Sequence, residues 1–433
     1  MIISTKYGDL RGFEKDGCNV FLGILFAAPP VGALAFKHPL PPNPWEGLRE
    51  ASSGSCNPIQ AKGGFYIGNN SLDCLYLNVF SPKEVSGPLP VMVWIYGGAY
   101  SQGGTGAKAH GSSEVQYDLA RFAAETNCVV VTFNYRLNLY GFLDLHSLDS
   151  GFERNNGLFD QIMALKFVKE NIEAFGGDPD NITVFGQSAG GACILALMSM
   201  KEAEGLFHKA IVQSACIEHF FTEAESELHT KAYLRYAGVR TPEELMNLSE
   251  AKIRKANQKY SSWLMRRGDI RCAFSPVIDG RTLPEAPKEA VKRSNIPLLI
   301  GNTSQEGNLF LHSFPSFVLP PAAKYLHINV DAGKGSYKQR MSDALTHHIY
   351  IRPQNEILES YAGKAWRYVF DHITPGNTIG CFHASELPVL FGETMMGIDG
   401  REDETGVTMR NIWARFAKCG DPGWEERTVF TIR

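Results

Sequence analysis

The sequence lacks the short motifs that usually indicate a bound nucleotide or metal ion. It contains no GxxxxGKS or GxxxxGKT phosphate-binding loop, no CxxC pair and no HExxH motif. His347 and His348 are adjacent, so on a helix their side chains would not share one face as a pair of metal ligands does. We therefore predict that the protein uses no metal ion and no cofactor.

The sequence also has no excess of positive charge and no long hydrophobic run. Lysine and arginine total 42 residues against 46 acidic residues, without a long cationic block, which argues against a nucleic-acid partner. The longest apolar segments are strand-length, far below the ~20 residues that span a bilayer. The first residues, MIISTKYGDLRGF, show no basic leader followed by an apolar core, so we expect a cytoplasmic protein.

What the sequence does contain is an alternation of apolar runs with helix-like stretches. This alternation is typical of an α/β fold with a mostly parallel sheet flanked by helices. One helix-like stretch, 157–175, repeats apolar residues at spacings of three and four and predicts a helix with a buried face. No repeat or low-complexity linker divides the chain, so we predict a single domain over 1–433. The strand-like runs are 91–95, 129–133, 182–185, 210–212, 296–300 and 366–370.

The region 220–271 is charged and less strand-like than its surroundings, and we predict a helical insertion there. It includes Trp263, Leu264 and Met265, for which two interpretations stay open. These side chains either cap the entrance of a binding site or anchor the insertion to the core.

Ser188 lies in the segment TVFGQSAGGA, which holds a GxSxG motif. Such a pattern arises by chance in a chain with 42 glycines, but here an apolar β-branched run precedes it and a helix-like run follows it. Strand, tight turn and helix are the order that a nucleophilic serine on a strained turn requires, and glycines at 186 and 190 leave room for that turn. The motif therefore predicts a serine hydrolase.

A serine hydroxyl needs a base to take its proton and an acid to orient that base. In hydrolases with this serine turn the chain order is serine, acid, histidine, and Glu306 and His383 fit it. Glu306 follows a strand-like run in a glycine-flanked loop, although a solvated loop carboxylate is the common alternative. His383 competes with the other histidines of the chain, and its alternative is a packed core residue beside Phe382.

Donors for a developing oxyanion are expected from the residue after the serine and from a glycine-rich turn after an earlier strand. Ala189 is the first. The segment LPVMVWIYGGAY provides the second, so the amides of Gly98, Ala99 and Ala189 can face one oxygen. The alternative for Gly97 and Gly98 is a plain turn that only ends a strand.

Segments along nearly the whole chain together resemble the type-B carboxylesterases, the branch of the α/β-hydrolases that includes cholinesterases and bacterial para-nitrobenzyl esterases. Their collinear order carries the resemblance: VFLGILFAAPPVG, SLDCLYLNVFSP, VMVWIYGGAYSQG, VVVTFNYRLNLYGFL, the Ser188 motif, GLFHKAIVQSA, FSPVIDGRTLPEAP and FHASELPVLFG. The resemblance implies an α/β-hydrolase fold and an ion pair between Arg136 and Asp160. It also implies catalytic roles: Ser188 as nucleophile, Glu306 as acid, His383 as base, and Gly98, Ala99 and Ala189 as oxyanion hole.

Several positions depart from the family pattern. Ala99 stands where many members carry a third glycine, and a methyl group is tolerable there if its φ is negative. Gln187 replaces a glutamate common before the serine, so cationic substrates lose an attraction. The segment 57–73 has no tryptophan for a cation–π contact, which further disfavours choline esters. Cys56 and Cys74 resemble the family's N-terminal disulfide pair, but in a reducing cytosol we expect them to bridge only conditionally.

These residues predict a serine carboxylesterase that hydrolyses uncharged esters through a covalent acyl-enzyme. Phe310, Phe314 and Phe317 follow Glu306 and either line an acyl or alcohol pocket or simply pack together. Two alternatives stay open. One is a non-catalytic binding or adhesion protein, since the family also includes members that keep the fold and lose catalysis. The other is a lipase or amidase with the same triad.

Overall fold

Strands and helices alternate along the chain in the computed structural model, which describes residues 1–60, 67–84, 87–108, 114–331 and 333–433. The described strands are β1 (Ile2–Thr5), β2 (Gly8–Arg11), β3 (Phe13–Lys15), β4 (Cys18–Leu25), β5 (Leu48–Glu50), β6 (Tyr76–Pro82), β7 (Leu89–Ile95), β8 (Val129–Phe133), β9 (Gly177–Gln187), β10 (Lys209–Gln213), β11 (Phe221–Thr222), β12 (Val277–Ile278), β13 (Leu298–Thr303), β14 (Ala365–Phe370), β15 (Thr394–Met395), β16 (Ile398–Asp399) and β17 (Val429–Ile432).

The helices lie between the strands. They are α1 (Ala120–Thr126), α2 (Asn138–Gly141), α3 (Asn156–Asn171), α4 (Ala189–Leu197), α5 (Glu223–Ala237), α6 (Pro242–Met246), α7 (Glu250–Met265), α8 (Pro287–Ala290), α9 (Asn308–Leu311), α10 (Leu319–Tyr325), α11 (Tyr337–Leu345), α12 (Arg352–Leu358), α13 (Glu386–Phe391) and α14 (Glu404–Cys419). Three groups of them, α2–α3, α5–α7 and α9–α12, follow one another without an intervening strand among the described residues. A π-helical turn, Thr346–Ile351, joins α11 to α12. Among the described helices, none has both the length and the hydrophobicity that crossing a membrane requires.

One large sheet organises the described residues. Its strand order is β17-β14-β13-β10-β9-β7-β8-β6-β4-β3. The pairs from β17 to β8 are parallel, and those from β8 to β3 are antiparallel. The predicted mostly parallel sheet flanked by helices is therefore confirmed.

Helices cover both faces of the parallel part of the sheet. The chain moves one way along the sheet from β7 to β8 and the other way from β8 to β9 and β10, so right-handed crossovers place α1 on one face and α3 and α4 on the other. Because both faces are covered, the 91–95 run in β7 is fully buried along its length. Burial on both faces explains why the strand-like runs in the sequence consist mainly of apolar residues.

The predicted elements differ from the observed ones mainly at their ends. The run 296–300 begins two residues too early, since β13 starts at Leu298. The helix predicted over 157–175 is α3 followed by a 3₁₀ turn, Ile172–Phe175, which ends at Gly176 with φ of +83°. The predicted apolar face of this helix is buried.

Helices α5, α6 and α7 lie within the region 220–271. Trp263 packs edge-to-face against His229 of α5 with ring centroids 5.6 Å apart, and Leu264 is buried. Met265 is exposed. The first two side chains therefore anchor α7 to its neighbours, which is the second of the two interpretations of this segment.

Candidate active site

The candidate site lies where the strand order of the sheet reverses. β7 is flanked by β8 and β9, and the connections that leave the carboxyl ends of β7 and β9 run to opposite faces of the sheet. A crevice forms between such connections, and ligands of open α/β sheets bind there. The glycine turn at 97–98 follows β7, and Ser188 follows β9.

Ser188 occupies a strained turn between β9 and α4. Its φ of 59° and ψ of −124° are rare for a residue with a side chain. The turn fits because Gly186 and Gly190 lie against the end of β7: a Cβ atom at Gly190 would lie 2.0 Å from the carbonyl oxygen of Ile95. The Ser188 amide donates to the Gln213 carbonyl at 2.8 Å, so β10 holds the turn from the other side.

The structure brings Ser188, His383 and Glu306 together, although they are far apart in the sequence. His383 Nε2 is 2.9 Å from Ser188 Oγ, and His383 Nδ1 is 2.5 Å from Glu306 Oε2. The second oxygen of Glu306 accepts the Thr303 amide at 2.8 Å, which fixes the carboxylate at the end of β13. All three side chains are buried, with Ser188 the most exposed at 9%.

The amide of Gln187 adds a contact that the sequence did not predict. Its Nε2 is 3.2 Å from His383 Nε2. An amide nitrogen donates and a carboxylate accepts, so His383 carries its proton on Nδ1 toward Glu306 and accepts at Nε2. The Gln187 side-chain amide and the Ser188 hydroxyl therefore both donate to His383 Nε2. The sequence marked Gln187 as unusual but gave no indication of this contact.

Two neighbouring groups have shifted pKa values. Burial alone would lower the pKa of His383, but the charge and hydrogen bond of Glu306 outweigh it and raise the pKa. Burial, and then the negative charge of Glu306, raise the pKa of Glu386 to about 7. Glu386 accepts from the side chain of Gln213 at 3.3 Å. The charge of Glu306 thus stabilises the imidazolium that His383 becomes when its neutral, accepting Nε2 takes a proton.

The glycine turn after β7 approaches Ser188 closely. A Cβ atom at Gly97 would lie 2.9 Å from that of Ser188, and one at Gly98 would lie 2.2 Å from the Gln102 carbonyl oxygen. Gly98 has φ of +117°. Glycine is therefore needed at these two positions because other atoms of the protein come close to them, and not only because the chain reverses direction there.

Ala99 does not have the negative φ that the sequence analysis required for a methyl group at this position. Its φ is +54°, in the left-handed region, and the condition of a negative φ is not met. The turn keeps Ala99 in this conformation because Ser101 and Gln102 both donate to the Gly98 carbonyl at 3.0 Å. The amide of Ala189 is in the first turn of α4, where backbone donors have no partner within the helix.

Aromatic rings lie against one side of His383. The rings of Phe310 and Tyr350 have their centroids 5.6 and 5.3 Å from the imidazole. Phe314 and Phe317 are exposed, Phe317 by 80%. Of the predicted phenylalanine cluster, only Phe310 has a ring contact with the histidine among the described residues.

The predicted ion pair between Arg136 and Asp160 is present and fully buried. Two charge-assisted hydrogen bonds join them, at 2.7 and 2.9 Å, and the Arg136 amide also donates to Asp160. Cys56 and Cys74, by contrast, are free thiols, as are the other cysteines.

Comparison with known proteins points to one family. The profile of the carboxylesterase family matches residues 1–322. The chain is 37% identical to the para-nitrobenzyl esterase of Bacillus subtilis (strain 168), over 98% of this chain and 91% of that protein. It is 29% identical to mouse neuroligin-2, over 97% of this chain and 60% of that protein. A solved structure titled PNB esterase superposes with a TM-score of 0.87 at 34% identity, covering 100% of this chain and 96% of that one.

Proposed function

Because the chain belongs to the carboxylesterase family and is a carboxylic ester hydrolase with the α/β-hydrolase fold, we propose that it cleaves uncharged esters through an acyl-enzyme on Ser188. The observation that carries this proposal is the continuous hydrogen-bonded line from Ser188 through His383 to Glu306. Such a line lets a weak hydroxyl nucleophile lose its proton as it attacks.

In the proposed mechanism His383 is the base. Its Nε2 takes the hydroxyl proton as Ser188 Oγ attacks the ester carbonyl, and the imidazolium then donates this proton to the leaving alkoxide. Water attacks the acyl-enzyme in the same way, which releases the acid and restores the serine. Glu306 stays ionised, holds the Nδ1 proton and stabilises the imidazolium. The raised pKa of His383 supports this role because it reflects stabilisation of the charged ring.

The oxyanion is proposed to be held by the amides of Gly98, Ala99 and Ala189. The first two leave the end of β7 and the third begins α4, beside the serine. Such donors act most strongly on the tetrahedral intermediate, and the loss of one typically costs ~10²–10³ in rate. The positive φ values at positions 98 and 99 are the backbone feature that supports this assignment.

The substrate class follows from what faces His383. Gln187 contributes a neutral amide at 3.2 Å, so no carboxylate at this position attracts a cationic alcohol group. The sequence 57–73 contains no tryptophan for a cation–π contact; residues 61–66 of it lie outside the described residues. Phe310 offers an apolar ring to an acyl chain or an alcohol group. An uncharged ester fits these features better than a choline ester.

Two other functions were considered on the sequence. The first is a binding or adhesion role, and the intact hydrogen-bonded line of Ser188, His383 and Glu306 favours catalysis over it. A lipase or amidase would use the same residues and would differ in activation at an oil interface or in cleavage of anilides. These assays separate it from the esterase.

The test is hydrolysis of para-nitrophenyl acetate, butyrate and octanoate by wild type and Ser188→Ala, both checked for folding by circular dichroism. Ser199→Ala is the matched control, because Ser199 follows α4 and its hydroxyl donates to the Leu195 carbonyl of the same helix. We expect turnover by wild type and the control, and a loss of at least about 10³-fold in Ser188→Ala. A folded wild type without turnover of any of these esters, or an active Ser188→Ala, would overturn the proposal.

A further inference from the structure

The loop that carries His383 contains no helix and no strand. This histidine loop, residues 371–385, runs from the end of β14 to the start of α13. It nevertheless holds His383 Nδ1 at 2.5 Å from Oε2 of Glu306, which lies in a separate loop, the acid loop of residues 304–307. A displacement of about 1 Å at a reacting group can cost ~10² in rate, so the two loops need to be fixed to each other.

Gln305, the residue before Glu306, joins the two loops by a pair of hydrogen bonds. Its main-chain amide donates to the Cys381 carbonyl at 3.0 Å, and its side-chain oxygen accepts the Cys381 amide at 3.2 Å. Two neighbouring antiparallel strands exchange hydrogen bonds in the same way, except that here a side-chain oxygen replaces one main-chain carbonyl. Because Cys381 lies two residues before His383, this pair fixes the backbone of the histidine loop against that of the acid loop.

Asn308 holds the Gln305 side chain in this position. Its Nδ2 donates to Gln305 Oε1 at 3.1 Å and to the Ile379 carbonyl at 2.7 Å. Its Oδ1 accepts the Ser342 hydroxyl at 2.7 Å, which connects the two loops to α11. Both hydrogens of the Asn308 amide group are therefore used between the acid loop and the histidine loop.

The histidine loop leaves space for the Gln305 side chain. Gly380 has φ of +92°, and a Cβ atom there would lie 2.2 Å from Gln305 Oε1. Asn377 stabilises this backbone, since its Nδ2 donates to the Gly380 carbonyl and its Oδ1 accepts the Ile379 amide, both at 2.9 Å. The backbone around Gly380 is therefore shaped so that the Gln305 oxygen reaches the Cys381 amide.

We propose that Gln305 is a positioning residue for the reaction, which fixes Glu306 against His383 through the main chain of Cys381. This inference rests on the proposed function. Without the side-chain oxygen, the Cys381 amide loses this acceptor, and the histidine loop can move away from the acid loop. The base then spends less time within reach of both Glu306 and Ser188, so the chemical step slows while substrate binding stays the same.

The test compares two variants of nearly equal size. Gln305→Leu has no side-chain oxygen, whereas the carboxylate of Gln305→Glu accepts the same two donors. Gln339→Leu is the matched control, because the Gln339 side chain donates to Asp343 of the same helix. With para-nitrophenyl butyrate we expect kcat to fall by about 10²-fold in Gln305→Leu, with KM within about twofold of wild type. Gln305→Glu should recover most of this rate, and the control should keep the wild-type rate.

A second readout is the proton NMR resonance of the hydrogen that His383 Nδ1 shares with Glu306. A short, charge-assisted hydrogen bond moves such a resonance far downfield, and its absence from His383→Gln assigns it. We expect the resonance in wild type, Gln305→Glu and the control, and its loss or an upfield shift in Gln305→Leu. This readout needs no turnover. A wild type that shows the resonance but cleaves no ester would therefore overturn the proposed function and leave the role of Gln305 to be decided by the resonance alone.

Two results would overturn the role of Gln305. The first is a Gln305→Leu variant that keeps the downfield resonance and a kcat within about threefold of wild type. The second is loss of the resonance in Gln305→Glu as well, since the accepting oxygen would then not be the cause. If Gln305→Leu does not fold, Gln305→Asn replaces it: the side chain is one methylene shorter, its oxygen cannot reach the Cys381 amide, and the same losses are expected.

Discussion

The carboxyl edge of the sheet and the segment that covers it are built differently. At the edge, Ser188, Glu306 and His383 are buried, and each is tied to the ends of neighbouring strands or to one another. The covering segment, residues 308–331 and 333–351, packs around its own small apolar cluster and exposes Phe314 and Phe317. The groups proposed for the chemistry are therefore held by the strands of the sheet, whereas the aromatic residues of the covering segment are held mainly by that segment itself.

The largest effect on activity is expected at Glu306, the acidic residue at the carboxyl edge of the sheet. Glu306→Gln keeps the shape of the side chain but removes the charge that orients and stabilises the histidine. We expect kcat for para-nitrophenyl acetate to fall by roughly 10³–10⁴-fold with a normal circular dichroism spectrum. Glu285→Gln, at a partly exposed glutamate paired with Arg293, is the control and should keep its rate. A loss under tenfold in Glu306→Gln would contradict the role of this residue.

The next effect concerns the contribution of the buried pair of Arg136 and Asp160 to the stability of the protein. Arg136→Leu would leave the buried Asp160 carboxylate without its partner, and we expect a loss of about 3–5 kcal/mol in the free energy of unfolding. Urea denaturation measures it. The double variant Arg136→Leu with Asp160→Leu should recover much of this loss, since no unpaired charge remains. Equal losses in both variants would show that the charge balance is not the cause.

The covering segment should instead affect substrate choice. Phe310→Ala removes the ring beside His383, and we expect the ratio of kcat/KM for octanoate over acetate esters to fall by about tenfold. Phe317→Ala, at a ring that is 80% exposed, is the matched control and should leave this ratio unchanged. If both variants change the ratio equally, the difference between the two rings has no functional meaning.

The smallest effect concerns Ala99. Its left-handed backbone costs roughly 1–2 kcal/mol, while glycine there adds about 0.4–1 kcal/mol of freedom to the unfolded chain, so Ala99→Gly should change the free energy of unfolding by under about 1 kcal/mol. Ala99→Val, with a β-branched side chain, should lower the thermal midpoint clearly. Calorimetry compares the two. Similar midpoints for valine and glycine would mean that the turn is not held at a positive φ.

Much of the architecture could be read from the chain because local signals and long-range packing agree. The fully apolar run in β7 predicted a strand with both faces covered, and the glycines around Ser188 predicted a tight turn. Element ends were predicted less accurately: β13 begins two residues after the start of its apolar run, and α3 gives way to a 3₁₀ turn before Gly176. Terminal residues are decided by capping and by neighbouring strands, which a local pattern does not contain.

By itself the sequence determined the α/β class and the family, and it predicted the order of serine, acid and histidine, because these depend on motifs and on periodicity along the chain. Only the tertiary structure decided that Gln187 shares His383 with Ser188 and that Ala99 has a positive φ. These features depend on contacts between segments far apart in the chain, and on backbone angles that those contacts impose. Neither leaves a local pattern in the order of residues.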